Sequence, residues 1–133
     1  MSEDNERTWL AADAAFNRND LQTWIEFHDP EIEWHDLPGL PGAGVHHGRE
    51  ELLRRVEELQ EALSDFRTEV EEITSVGDCV VAQVRFLGIG KASGAPATPL
   101  SVTYLAEFRD ARIVRTRLFA DHTEALEAAE LSE

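Results

Sequence analysis

The chain has 133 residues, of which 42% are hydrophobic, the size and make-up of one globular domain with a real core. No apolar run is long enough to cross a bilayer, and the acidic start Ser2-Glu3-Asp4-Asn5-Glu6 is the opposite of a secretion leader. The formal net charge of −15 argues against nucleic acid and anionic membrane as partners, and a single cysteine, Cys79, rules out an internal disulfide, so a cytoplasmic protein is expected.

Trp9, Ala12, Ala15 and Phe16 recur at helical spacing and predict a helix over 6–18. Asn17-Arg18-Asn19-Asp20 breaks it. Asp20 is a candidate cap for a second helix running through Phe27, with Leu21, Trp24, Ile25 and Phe27 as its apolar face. Pro30 is expected to end that helix, and a strand is predicted over 31–36. Alternate strand residues share a face, so Ile32, Trp34 and Asp36 point together and leave Asp36 at the rim of an apolar region. Pro38-Gly39-Leu40-Pro41-Gly42-Ala43-Gly44 reads as a loop of the kind that lids a cavity.

A helix is predicted over 49–64, with Leu52, Leu53, Val56, Leu59 and Leu63 as its buried stripe and a solvated face of Glu and Arg. After Asp65 the period becomes two. Phe66, Thr68, Val70 and Glu72 share one face of a strand, and Val76-Gly77-Asp78 is a turn. Cys79 to Leu87 is a strand with Val80, Ala82, Val84 and Phe86 on one face. A Gly/Ala-rich link runs from Gly88 to Pro99. It lacks Walker spacing and reads as a hairpin connection. Leu100 to Arg109 is a strand with Val102, Tyr104, Ala106 and Phe108 on one face, Asp110-Ala111 is a tight turn, and Arg112 to Ala120 is the last strand. A short helix is predicted over Thr123 to Leu131, with Asp121 or His122 at its N-cap. Early helices and a late antiparallel meander indicate an α+β fold in one domain, residues 1–133, with a pocket at the open end of a curved sheet.

Several pieces, taken in order, resemble the NTF2-like superfamily and its SnoaL-like branch. They are Phe27-His28-Asp29-Pro30-Glu31-Ile32-Glu33-Trp34, then His47-Gly48-Arg49-Glu50 and Val76-Gly77-Asp78. Phe108-Arg109-Asp110-Ala111-Arg112-Ile113-Val114-Arg115, leading to Phe119-Ala120-Asp121-His122-Thr123-Glu124-Ala125-Leu126, completes the set. The family's glycine in the last hairpin turn is Ala111 here. The resemblance implies a cone-shaped barrel, N-terminal helices packed in a curved antiparallel sheet, a deep pocket, and a homodimer through the outer sheet face. Its members include ketosteroid isomerases, polyketide cyclases, scytalone dehydratase and limonene epoxide hydrolase, while others only bind ligands or proteins. Function therefore has to be argued from the site.

Asp36 matches the position of the isomerase general base. The isomerase tyrosine falls near Ala12, and its aspartic acid near Tyr104. The late aspartate of the epoxide hydrolase falls on Arg117 or Leu118. Asp36 beside Trp34 is thus a candidate base, and the plainer alternative is a strand-end Asp that caps a turn. Tyr104 is a candidate donor to a substrate oxygen, or a core tyrosine. Trp24, Trp34, Phe86 and Phe119 are candidates for an apolar ligand wall, and His47 for a proton carrier at the mouth. His35, His46 and His47 offer no HxH or HxxxH spacing, so no metal is expected, and no cofactor either. Arg115 and Arg117 share a face that is read as outward. The leading expectation is a small-molecule-binding protein acting by cofactor-free acid/base chemistry on an apolar, oxygen-bearing metabolite. The alternatives are a noncatalytic ligand-binding or dimeric interaction protein, and a hydrolase for which Asp121 is the late carboxylate.

Overall fold

The computed structural model describes residues 2–39, 43–90 and 100–131. The chain begins with α1 (Ser2–Asn17), which buries Trp9, Ala12 and Ala15. Asn19 turns the chain at φ 61°, a left-handed conformation that asparagine tolerates. Asp20 then caps α2 (Leu21–Glu26) by accepting from the Thr23 amide at 3.2 Å. The strand β1 (His28–His35) starts two residues before Pro30, so the proline lies inside the strand instead of ending the helix. It is accommodated where the pairing with a neighbouring strand shifts register, between His28 and Glu33, so its missing N–H breaks no ladder.

The predicted loop is followed by an element not foreseen, the three-residue edge strand β2 (Val45–His47), antiparallel to β1. Loop residues 40–42 lie outside the described residues, as do 91–99 of the glycine-rich link. Gly48, at φ 89°, turns the chain into α3 (Arg49–Ala62). The remaining strands are β3 (Leu63–Val76), β4 (Cys79–Gly90), β5 (Leu100–Arg109) and β6 (Arg112–Phe119), and α4 (His122–Leu131) closes the described chain. Asp121 caps α4 by accepting from the amides of Thr123 and Glu124 at 2.8 and 3.2 Å.

The six strands form one curved, unclosed sheet in the order β2-β1-β6-β5-β4-β3. All neighbours are antiparallel except β1 and β6, which run parallel. Alternation sorts β4 as predicted. Val80, Ala82 and Val84 face the helices α1 to α3, whereas Cys79 and Val81 face α4 on the other side. In β5, Val102, Ala106 and Phe108 join the larger cluster, with Tyr104 packed against it. The β5–β6 register passes from Glu107↔Arg115 to Phe108↔Ile113, leaving Val114 as an extra residue. That bulge lets both Ile113 and Thr116 face inward and turns Arg115 and Arg117 outward. There they pair with Glu107 of the adjacent strand.

Candidate functional site

Between the helices and the inner sheet face lies a cavity of about 660 Å³ of atom-free space, its open mouth included. Its apolar wall includes Trp9, Phe16, Trp24, Trp34, Phe66 and Phe86, so all three tryptophans of the chain border it. Its polar groups are Asp13, His28, Asp36, Thr68, Tyr104 and Thr116.

Strand alternation points Asp36 inward behind Ile32 and Trp34, and its side chain is 3% exposed. Three donors converge on it. Trp34 Nε1 donates to Oδ1 at 3.1 Å, while His46 Nε2 and Arg55 Nε donate to Oδ2, each at 2.8 Å. His46 stands opposite Trp34 in the β1–β2 register, which brings its ring to the same side. Arg55 is 4% exposed and reaches Glu58 with Nη1 at 3.5 Å. Its Nη2 has no partner among the described residues. The polar face of α3 is therefore not wholly solvated. Arg55 sits three residues after Leu52 and next to Val56, on the buried stripe, because a buried carboxylate needs a cation.

Asp13 projects from α1 into the same cavity. Thr68 Oγ1 on β3 donates to its Oδ1, and Asn17 Nδ2 lies 3.5 Å from Oδ2. Asn17 in turn clasps the Thr68 backbone, donating to its carbonyl and accepting from its amide, both at 2.9 Å. Burial raises the Asp13 carboxyl above its ordinary range, and the Thr68 hydrogen bond offsets part of that rise. No cationic side chain pairs with Asp13 among the described residues.

The Tyr104 ring is braced edge-on by Trp9, Trp34 and Phe86, with centroids 5.7, 5.8 and 6.2 Å away. Its hydroxyl borders the cavity and makes no hydrogen bond to a described residue. Burial first, then the charges of Asp13 and Asp36, push the phenol far above its usual range, so it remains a proton donor at all physiological pH values. His28 donates from Nδ1 to the Trp24 carbonyl at 2.9 Å, which leaves Nε2 as an acceptor. Burial lowers its pKa to about 4, so the ring is neutral near pH 7.

Of the residues the sequence singled out, Trp24, Trp34, Asp36, Phe86 and Tyr104 meet around the cavity. His47 does not. It alternates away from His46, is 59% exposed, and lies 3.4 Å from Glu31. Phe119 does not either. Its neighbour Leu118 takes the inward position, and Phe119 packs on the outer face beside α4. Asp121 is engaged as a helix cap, away from the cavity, which removes the late carboxylate of the hydrolase alternative. Asp13, His28, Arg55 and Thr68 were missed. For Asp13 the signal was present, because Trp9, Asp13 and Phe16 lie four and three residues apart on one helical stripe.

Helices filling the concave side of a curved six-stranded sheet place the protein among the NTF2-like folds. Residues 7–116 match the model of the SnoaL-like domain family, and the chain belongs to that family. An NTF2-like protein of unknown function from Burkholderia pseudomallei is similar in structure, with 21% identity, coverage of 96% of this chain and 97% of the other, and a TM-score of 0.80. A SnoaL-like polyketide cyclase, so described, from Jannaschia sp. CCS1 has 20% identity, coverage of 98% and 94%, and a TM-score of 0.78. TerC, co-crystallised with polyporic acid, has 22% identity, coverage of 96% and 98%, and a TM-score of 0.78. At these identities the likeness is one of fold. No curated protein matches the chain. Among the described residues no helix is long and apolar enough to cross a membrane, and no group of three or more His, Cys, Asp or Glu side chains is placed to hold a metal ion.

Proposed function

We propose that the cavity binds a small, largely apolar, oxygen-bearing molecule and moves a proton on it without a cofactor, as in an isomerisation, an aldol-type cyclisation or a dehydration. One observation carries this reading: the phenol of Tyr104 borders an aromatic-walled cavity with no partner for its hydroxyl among the described residues, while two carboxylates, Asp36 and Asp13, border the same space. A carboxylate takes a proton from the carbon beside a carbonyl, and the C–H electron pair moves into the carbonyl as an enolate. The Tyr104 O–H then stabilises the charge on oxygen, in a site where low polarity strengthens that hydrogen bond. Return of the proton to a different carbon completes an isomerisation with no oxidant or reductant.

The three donors already on Asp36 favour a second reading, in which the cavity binds such a molecule without turning it over. Both readings take two chains to pair through the outer sheet face, and a single 14.9 kDa species in sedimentation would remove that part.

Because Trp9, Trp34 and Trp24 all border the cavity, intrinsic fluorescence reports entry directly. Cyclic ketones are expected to change the emission saturably. Tyr104→Phe is expected to weaken ketone binding by about tenfold, the worth of one buried hydrogen bond, and to leave hydrocarbon analogues unaffected. Equal loss for ketone and hydrocarbon would refute the donor role, and no saturable change with any ketone would refute the ligand site.

A further inference from the structure

We infer that Asp13 is the carboxylate that accepts the proton, with Asp36 a fixed counter-ion to Arg55, so that the substrate presents its carbonyl to Tyr104 and the neighbouring C–H to α1. This rests on the acid/base reading above and names the group that performs it. The geometry separates the two carboxylates. Asp36 receives three donors, one from a buried guanidinium at 2.8 Å, so three of its roughly four lone-pair positions are engaged and its charge is neutralised in place. Taking up a proton there would break the buried ion pair of Arg55, 4% exposed, and leave it, among the described residues, only the 3.5 Å contact with the exposed carboxylate of Glu58.

Asp13 has no such tie. It accepts from Thr68 Oγ1, with the Asn17 amide at 3.5 Å, and no cation pairs with it among the described residues. A proton on Asp13 therefore breaks no ion pair. The Asn17 clasp on the Thr68 backbone fixes the strand that holds the donor, and so fixes the carboxylate against α1. The titratable groups that share the cavity with Asp13 are His28 from β1, Asp36 just beyond the end of β1, and Tyr104 from β5. Tyr104 stays protonated, and a proton on His28 would create a new buried positive charge, which burial opposes, whereas a proton on Asp13 removes a buried negative one. Burial makes the Asp13 carboxylate a stronger base than an exposed one.

The step balances as one proton passing from the carbon to an Asp13 oxygen and the C–H pair passing to the carbonyl oxygen. Exchange of carbon-bound hydrogen in heavy water, followed by proton NMR on benzyl phenyl ketone, reads this step alone. The wild-type protein is expected to accelerate exchange above buffer. Asp13→Asn keeps an acceptor for Thr68, and is expected to retain ketone-dependent tryptophan quenching and lower exchange by about 100-fold or more. Thr68→Val removes a donor to the charged form, raises the Asp13 carboxyl further, and is expected to move the midpoint of the exchange-against-pH curve upward.

Full exchange in Asp13→Asn, an unmoved midpoint in Thr68→Val, or loss of ketone binding together with exchange would overturn the assignment to Asp13. The first two leave acid/base chemistry standing. No exchange by the wild-type protein would overturn the acid/base reading, and the role of Asp13 with it.

Discussion

Arg55→Met removes the cation from a buried pair and keeps most of the side-chain volume. The two side chains are 4% and 3% exposed and meet at 2.8 Å, so solvent screening is minimal. Opposite charges at 4 Å attract by about 4 kcal/mol at an effective dielectric constant of 20, and this pair is closer. Desolvation of both ions offsets much of that gain in the intact pair, but it is not recovered when one partner alone is removed. Trp34 and His46 still donate to Asp36 in the variant and hold the loss within the range seen for broken buried pairs.

The expected cost is about 3–5 kcal/mol, out of the roughly 5–15 kcal/mol that domains of this kind possess. Urea unfolding at pH 7 followed by circular dichroism measures it, with Asp36→Asn and the double variant closing the cycle. The double variant is expected to be more stable than the sum of the single losses allows, by about 2 kcal/mol. A loss below about 1 kcal/mol for Arg55→Met, or strict additivity, would refute the view that Asp36 is held as a structural counter-ion.

Other outcomes follow from single residues. Ala111 sits at φ 64° in the last hairpin turn, so Ala111→Gly is expected to add about 1 kcal/mol of stability and raise the melting temperature, whereas a lower melting temperature would contradict the strain argument. The pKa of His28 is lowered from 6.5 to about 4, so the unfolded chain binds a proton that the folded one refuses. Stability from this group is complete above pH 6.5 and is lost as pH falls toward 4, by about 3 kcal/mol in all. His28→Asn should flatten that part of the stability-against-pH curve, and an unchanged slope would count against a buried neutral ring. The raised Asp13 carboxyl has the opposite sign, since the folded chain holds the proton more tightly. Its charged form costs stability above the folded value, and that cost shrinks as pH falls through the folded value and is gone below the unfolded value of 3.8. Asp13→Asn is therefore expected to match or exceed the wild-type stability at pH 7, and clear destabilisation there would show that the charge is satisfied in a way the geometry does not reveal.

Period and punctuation made most of the fold legible. The alternation in β4 and β5 sorted two faces correctly, Asp20 marked the helix start it caps, and of the two candidates Asp121 and His122 the cap of α4 is Asp121. What escaped depended on partners distant in sequence. Pro30 reads as a helix stop, yet a register shift against β6 absorbs it inside β1. Arg55 reads as one more charge on an acidic helix until Asp36, 19 residues earlier, is seen to need it. Parity within β2 and β6 decided that His46 and Leu118 face inward and that His47 and Phe119 do not, and a one-residue register change would reverse both. Asp13 was legible from its place between Trp9 and Phe16, but a carboxylate on an apolar stripe becomes a site only when Thr68 and Tyr104 are brought to it across the fold.

The most direct test of the central claim is a crystal structure after soaking with a mixed set of small ketones, phenols and terpenoid alcohols. The account predicts density in the aromatic-walled cavity, with the ligand oxygen within hydrogen-bond reach of the Tyr104 hydroxyl and a ligand carbon against Asp13. A cavity that stays empty under saturating ligand, with Tyr104 hydrogen-bonded to the protein instead, would contradict it.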